Sequence, residues 1–102
     1  MQLDEWQKLI EQIYLEKDKK RGLAWSYAWL VEEVGELGAE LRKFALNEEN
    51  TELNSEHLHE EFADCLAWLS TLASMAGIKL ENVKKRYENG CPYCTKIPCV
   101  CS

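Results

Sequence analysis

Four carboxylates in two short runs are the residues of this sequence best suited to chemistry: Glu33 with Glu36, and Glu61 with Asp64. Each pair is spaced i, i+3, which on a helix sets both side chains on one face, a turn apart. An isolated pair of this kind is usually solvated. Four that converge repel one another and raise each other's pKa unless a cation joins them. A hard, oxygen-rich set of this sort suits Mg2+ or Mn2+, ions that bind carboxylates and substrate phosphates together. Glu32, Glu40 and Glu60 add to the charge, so that residues 31–64 hold 11 acids against 2 bases.

The elements that must carry these pairs read as helices. A first helix is expected from Asp4 to Lys19, with Asp4 and Gln7 as a capping box and Trp6, Leu9, Ile10, Ile13 and Tyr14 on its apolar line. Lys17, Lys19, Lys20 and Arg21 suit a helix C-terminus, with Gly22 as the stop. That basic run is either a solvated terminus or a source of one or two phosphate-facing cations. A second helix runs to about Ala45 on the line Leu30, Val34, Leu37, Leu41 and Phe44. Gly35 and Gly38 cost it roughly 1 kcal/mol each relative to alanine, which suggests close approach of a neighbour. The polar stretch Asn47 to Asn54 is the best loop, and Ser55 can cap a third helix. Leu58, Phe62, Cys65, Leu66, Leu69, Leu72, Ala73 and Ala76 form the stripe of that helix until Gly77 stops it. A short fourth helix follows from Lys79 to Tyr87 or Asn89, ended by Gly90.

Nothing alternates with period two, so the expected fold is an all-α antiparallel bundle of about four helices. Both carboxylate pairs fall on the same side of their helix's apolar line. If the turn is centred near residue 50, facing residues have numbers that sum to about 100, which sets Glu36 opposite Asp64. Trp29 and Trp68 fall on the same side as the carboxylates. They can offer a flat face to a nucleobase or pack in a core or subunit interface. Lys79, Asn82 and Arg86 share a face of the fourth helix, with Lys85 beside them. They can hold phosphate oxygens or form a solvated basic end. His57 and His59 read as surface residues, and Cys65 as a small core residue.

The composition narrows the partners. With 102 residues the chain is one domain with a modest core, and such helices gain much from sharing that core with a second subunit. A net charge of −6 and a pI of 4.9 argue against a nucleic-acid polymer as partner, whereas a small anionic ligand bridged by a metal is compatible. No apolar run is long enough to cross a membrane and the N-terminal residues do not read as a secretory signal, so the expected location is the cytoplasm. Cys91, Cys94, Cys99 and Cys101 crowd the last dozen residues as C-x2-C and C-x-C. Four thiolates so close suggest a structural Zn2+ site, with a redox or disulfide role and an unfolded tail as alternatives. The expected division is a helical domain over residues 1–90 and a cysteine-rich tail over 91–102.

The run Glu32-Glu33-Val34-Gly35-Glu36-Leu37, followed by Glu60-Glu61-Phe62-Ala63-Asp64-Cys65-Leu66, resembles the MazG-type nucleotide pyrophosphohydrolases of the all-α NTP pyrophosphatase superfamily. The family's E-x-x-E, spacer, E-x-x-D pattern maps onto Glu33, Glu36, Glu61 and Asp64. Its later basic and amide segment matches Lys79, Asn82, Lys85 and Arg86 more loosely. The resemblance covers about residues 22–90 and implies Mg2+-dependent cleavage of a nucleoside triphosphate between its α and β phosphates. It also implies a homodimer or dimer of dimers with sites near helix interfaces. Branches of the family differ in substrate, among them dUTP, dCTP and phosphoribosyl-ATP. The rival expectation is a non-catalytic helical interaction or regulatory module with a zinc tail.

Overall fold

Helix propensity and apolar spacing produce helices throughout the computed structural model, which describes residues 1–46 and 51–102. Among these residues there is no strand. Residues 3–21 form one helical stretch made of α1, Leu3–Ile10, a π-helical turn, Glu11–Leu15, and α2, Glu16–Arg21. Two long helices follow, α3 at Leu23–Leu46 and α4 at Thr51–Met75. A short α5, Leu80–Val83, passes into a 3-10 turn at Lys84–Tyr87. The all-α bundle of about four helical stretches is therefore the observed fold. None of the described helices is long and apolar enough to cross a membrane.

Several local expectations are corrected. The first helix begins at Leu3, and its capping box joins Gln2 to Glu5, whose carboxylate accepts the Gln2 backbone N–H at 3.1 Å. The π turn then re-phases the helix, because its wider pitch slips the side-chain pattern by a position. Asp18 follows Gln7 and Ile10 into the interior, while Ile13 and Tyr14 turn outward. α4 begins at Thr51, so the second half of the expected loop is helical and Ser55 lies inside the helix. The rest of that loop, 47–50, lies outside the described residues. Gly22 and Gly77 stop their helices as expected, with φ of +94° and +74°, values that glycine reaches without a Cβ penalty.

Gln7, freed from the cap, ties both ends of the chain together. Its Nε2 donates to Ser74 Oγ at 3.0 Å and to the Ile78 carbonyl at 2.9 Å, and its Oε1 accepts the Leu80 N–H at 2.8 Å. Beside it the Trp6 indole N–H donates to Ser70 Oγ at 2.8 Å, and the Ser70 hydroxyl donates to the Leu66 carbonyl at 2.7 Å. Gln7→Ala leaves a buried amide N–H and carbonyl without partners. It is expected to cost about 2–3 kcal/mol of unfolding free energy in a urea titration. A loss within error of zero would mean that water replaces these bonds.

α3 and α4 pack antiparallel along their length, and the seam differs from the expected one. Leu30, Glu33, Leu37 and Glu40 of α3 are half-buried there, as are Leu58, Glu61, Cys65 and Trp68 of α4. Val34, Leu41 and Phe44 turn outward with Phe62, Leu66 and Leu69, each more than two-fifths exposed. Glutamates thus occupy the seam while half of the apolar line faces away from it. Gly35 and Gly38 lie on exposed positions, and a Cβ at either would meet nothing within 4 Å. The close approach inferred for them is not made within one chain.

Candidate active site

The helical register brings the two acidic motifs together. It pairs Trp29 with Trp68 and Glu40 with His57, whose Nδ1 lies 3.9 Å from the Glu40 carboxylate. The same register sets Glu33 opposite Asp64 and Glu36 opposite Glu61, three residue numbers from the register expected of a turn at residue 50. Carboxylate oxygens of Glu33, Glu61 and Asp64 all lie within 4.8 Å of one another. Glu36 stands outside this trio but acts on it as the largest charge contribution at both Glu33 and Glu61.

Crowding of like charges in a half-buried seam has the expected electrostatic result. The Glu33 carboxyl is raised from 4.5 to about 7. Burial is the largest cause, followed by the charge of Glu36 and a hydrogen bond with it, then by Asp64 and Glu61. Glu61 is also raised, by burial first and then by Glu36 and Asp64. Burial and the same four acids push the Cys65 thiol up, which keeps it a neutral packing residue. One oxygen each of Glu33 and Glu61, both Oε2, is buried without a hydrogen-bond partner. Two orphaned, buried carboxylate oxygens beside the more exposed carboxylate of Asp64 are the donor set of a hard divalent cation, so the residues fit such an ion.

Two of the trio open onto a pocket of about 210 Å³ lined by Glu33 and Asp64, by Trp68 and Thr71 of α4, and by Tyr14, Lys17, Asp18 and Arg21 from the first helical stretch. Asp18, only 2% exposed, accepts a hydrogen bond from Arg21 Nη1 at 2.7 Å. That bond holds the guanidinium 5.1 Å above the Trp68 ring. Trp68 in turn stacks on Trp29, with ring centroids 6.1 Å apart and planes within 7°. One pocket therefore brings the cations Lys17 and Arg21 and the Trp68 indole, stacked on Trp29, together with the carboxylates of Glu33 and Asp64.

The remaining residues singled out by sequence go elsewhere. Lys79 and Asn82 line a second concavity with Gln7 and Ser74, apart from the carboxylate pocket. Arg86 lies against Tyr93, its Nη2 donating to the Tyr93 hydroxyl at 3.2 Å, and Lys85 is exposed in the 3-10 turn. Of the basic run, Lys17 and Arg21 reach the carboxylate pocket, while Lys19 and Lys20 line a different surface depression. Asp18 was missed because an acid inside a basic run has no sequence signal of burial. Tyr14 was misassigned to the core because the π turn is not visible as a period. The four tail cysteines do converge, with Sγ atoms all within 4.8 Å.

Residues 23–91 match the family model described as the MazG nucleotide pyrophosphohydrolase domain. The chain belongs to this family. The matched span contains both acidic motifs, Trp29, Trp68 and α5, and it begins just after the helical stretch that supplies Lys17, Asp18 and Arg21. Comparisons with curated proteins and with solved structures returned no match. Membership makes this a nucleotide pyrophosphohydrolase domain, a class that acts on small nucleotides and typically uses a divalent metal.

Proposed function

We propose that the protein hydrolyses a nucleoside or deoxynucleoside triphosphate with Mg2+, by attack of water at the α phosphorus, to give the monophosphate and pyrophosphate. The observation that carries this reading is the trio of Glu33, Glu61 and Asp64, with orphaned buried oxygens on Glu33 and Glu61, of which Glu33 and Asp64 share one pocket with Lys17 and Arg21. Glu33, Glu61 and Asp64 would hold Mg2+ or Mn2+, with Glu36 completing the carboxylate set. When bound, the ion neutralises phosphate charge and makes a water more acidic. Glu36, beside the trio rather than in it, would take the proton of the attacking water. Lys17 and Arg21 attract the polyphosphate and offset charge on the departing pyrophosphate. The Trp68 and Trp29 stack gives a flat surface for the base.

The same reading includes a homodimer or dimer of dimers. Among the described residues only Ile10 and Leu80 are buried hydrophobics, while Val34, Phe44, Phe62 and Leu69 lie open beside the seam. A second copy on that face buries them and uses the open positions at Gly35 and Gly38. It also offers a use for Lys79, Asn82, Lys85 and Arg86, which do not line the carboxylate pocket of their own chain. Residues 1–90 form the catalytic unit, and residues 91–102 take no step in hydrolysis.

The test is a panel of standard and modified NTPs and dNTPs, together with phosphoribosyl-ATP, with and without Mg2+. Products are resolved by phosphorus NMR. The expected result is Mg2+-dependent appearance of monophosphate and pyrophosphate in equal amounts from at least one triphosphate. Release of orthophosphate would overturn the assigned bond. Turnover of phosphoribosyl-ATP alone would overturn the substrate class, and inactivity on every member would leave the interaction-module reading in its place.

A further inference from the structure

The C-terminal residues fold without a hydrophobic core. Tyr93, Ile97 and Val100 are all more than two-thirds exposed, so apolar burial does not hold this segment in place. Its backbone is nonetheless specific. The Thr95 N–H donates to the Cys91 carbonyl at 2.8 Å, and the Cys91 N–H donates to the Lys96 carbonyl at 3.2 Å. Gly90 sits at φ +94°, and a Cβ there would lie 2.9 Å from Ile97 Cγ1 and 3.1 Å from the Lys96 carbonyl oxygen. The turn therefore closes on glycine for two reasons, its dihedral and the lack of room.

What this backbone surrounds is four sulfurs. Cys91 Sγ lies 3.7 Å from Cys101 Sγ, and Cys94 Sγ lies 3.9 Å from Cys99 Sγ. A tetrahedron of thiolates around Zn2+, with Zn–S of about 2.3 Å, has edges of about 3.8 Å. The observed spacings match that edge, and none of the four cysteines is paired in a disulfide. Backbone N–H groups also point at the sulfurs. That of Val100 donates to Cys94 Sγ at 3.5 Å. The Cys101 N–H reaches Cys99 Sγ at 3.3 Å. Such bonds stabilise thiolate over thiol, and they come from residues ordered only if the loop is closed.

We infer that Cys91, Cys94, Cys99 and Cys101 hold one structural Zn2+ ion as thiolates, and that this ion folds residues 90–101 and fastens them to the 3-10 turn through Tyr93 and Arg86. Each Zn–S bond replaces an S–H bond, and the thiol protons go to solvent. All four positions on the ion are filled by protein, so it has no open site for substrate. Four thiolates leave the loaded centre negatively charged. Arg86 lies against Tyr93, the residue next to Cys94, with its guanidinium carbon 5.7 Å from the ring centroid and its Nη2 on the hydroxyl. The site is independent of the carboxylate chemistry, and of the four cysteines only Cys91 falls within the matched family span.

The test uses the full chain purified under reducing conditions. Elemental analysis is expected to find one zinc per chain, and Co2+ exchanged into the protein is expected to show a tetrahedral visible spectrum with a thiolate charge-transfer band. Cys94→Ser and Cys99→Ser are each expected to lose the bound metal, while Cys65→Ser retains it. Because a variant can misfold, the wild-type protein is also titrated with a chelator and followed by NMR. The amide resonances of Tyr93, Lys96 and Val100 are expected to collapse toward random-coil positions and to return when zinc is restored, while those of α3 and α4 hold. Zinc-free protein with unchanged tail resonances would overturn the inference, as would iron at the site or zinc that survives both serine variants. Hydrolytic activity is not the readout, so failure here is separate from failure of the proposed reaction.

Discussion

Glu33→Gln is expected to lower Mg2+-dependent pyrophosphate release on the order of 100-fold or more, while the metal-free protein melts at a higher temperature than the parent. The two effects have opposite signs for one reason. In the metal-free chain Glu33 is a half-buried acid, raised to about 7 by burial and by Glu36, Asp64 and Glu61. Its buried Oε2 has no partner. An amide removes the ionisable group and its repulsion, and its N–H can donate to the neighbouring carboxylates. Folding gains from that change. Metal binding loses by it, because an amide offers an ion no charge. Thermal melts in chelator and a pyrophosphate assay on the same preparation measure both. A variant that is inactive and also less stable without metal would point to a packing role for Glu33. A variant that keeps full activity would remove Glu33 from the ligand set.

The second large effect is a reversal of pH dependence by metal. A carboxyl raised from 4.5 to about 7 holds its proton in the folded chain where the unfolded chain has lost it. The stability it contributes is complete below about pH 4.5 and is lost as pH rises through about 7. Glu61, shifted in the same direction, adds to the trend. The metal-free protein is therefore expected to melt at progressively lower temperature between about pH 5 and pH 8. Mg2+ requires the ionised carboxylates, so its binding releases protons and tightens over the same window. The gain in melting temperature on adding Mg2+ should grow with pH, and calorimetry in buffers of different ionisation enthalpy should detect the released proton. A metal-induced gain that is flat across this range would show that the acids are already ionised in the folded chain.

Residues from the first helical stretch are where sequence reasoning fell shortest. Lys17 and Arg21 were visible as cations, but a run of four basic residues gives no means of telling the two that face the pocket from the two that do not. The choice is made by the π turn, which re-phases the helix, and by buried Asp18, which fixes the Arg21 guanidinium over Trp68. The assignment of Gln7 to a cap failed for a related reason. Its partners Ser74, Ile78 and Leu80 lie some seventy positions away in the chain, and local spacing holds no record of such contacts.

The paired carboxylates stand at the other extreme. Their i, i+3 spacing on two successive helices determined that both motifs would present acids to one side, since helical periodicity follows from the local backbone alone. The same local rule gave the all-α class, the glycine stops at Gly22 and Gly77, and the clustering of four cysteines within a dozen residues. Tertiary structure decided which acids meet. The packing register of α3 on α4 joined Glu33, Glu61 and Asp64 into a trio and left Glu36 beside it. It also turned the acids into the seam and left Val34, Phe44, Phe62 and Leu69 outside it. Register and rotation depend on the summed packing of whole helix faces, a quantity that no short motif contains.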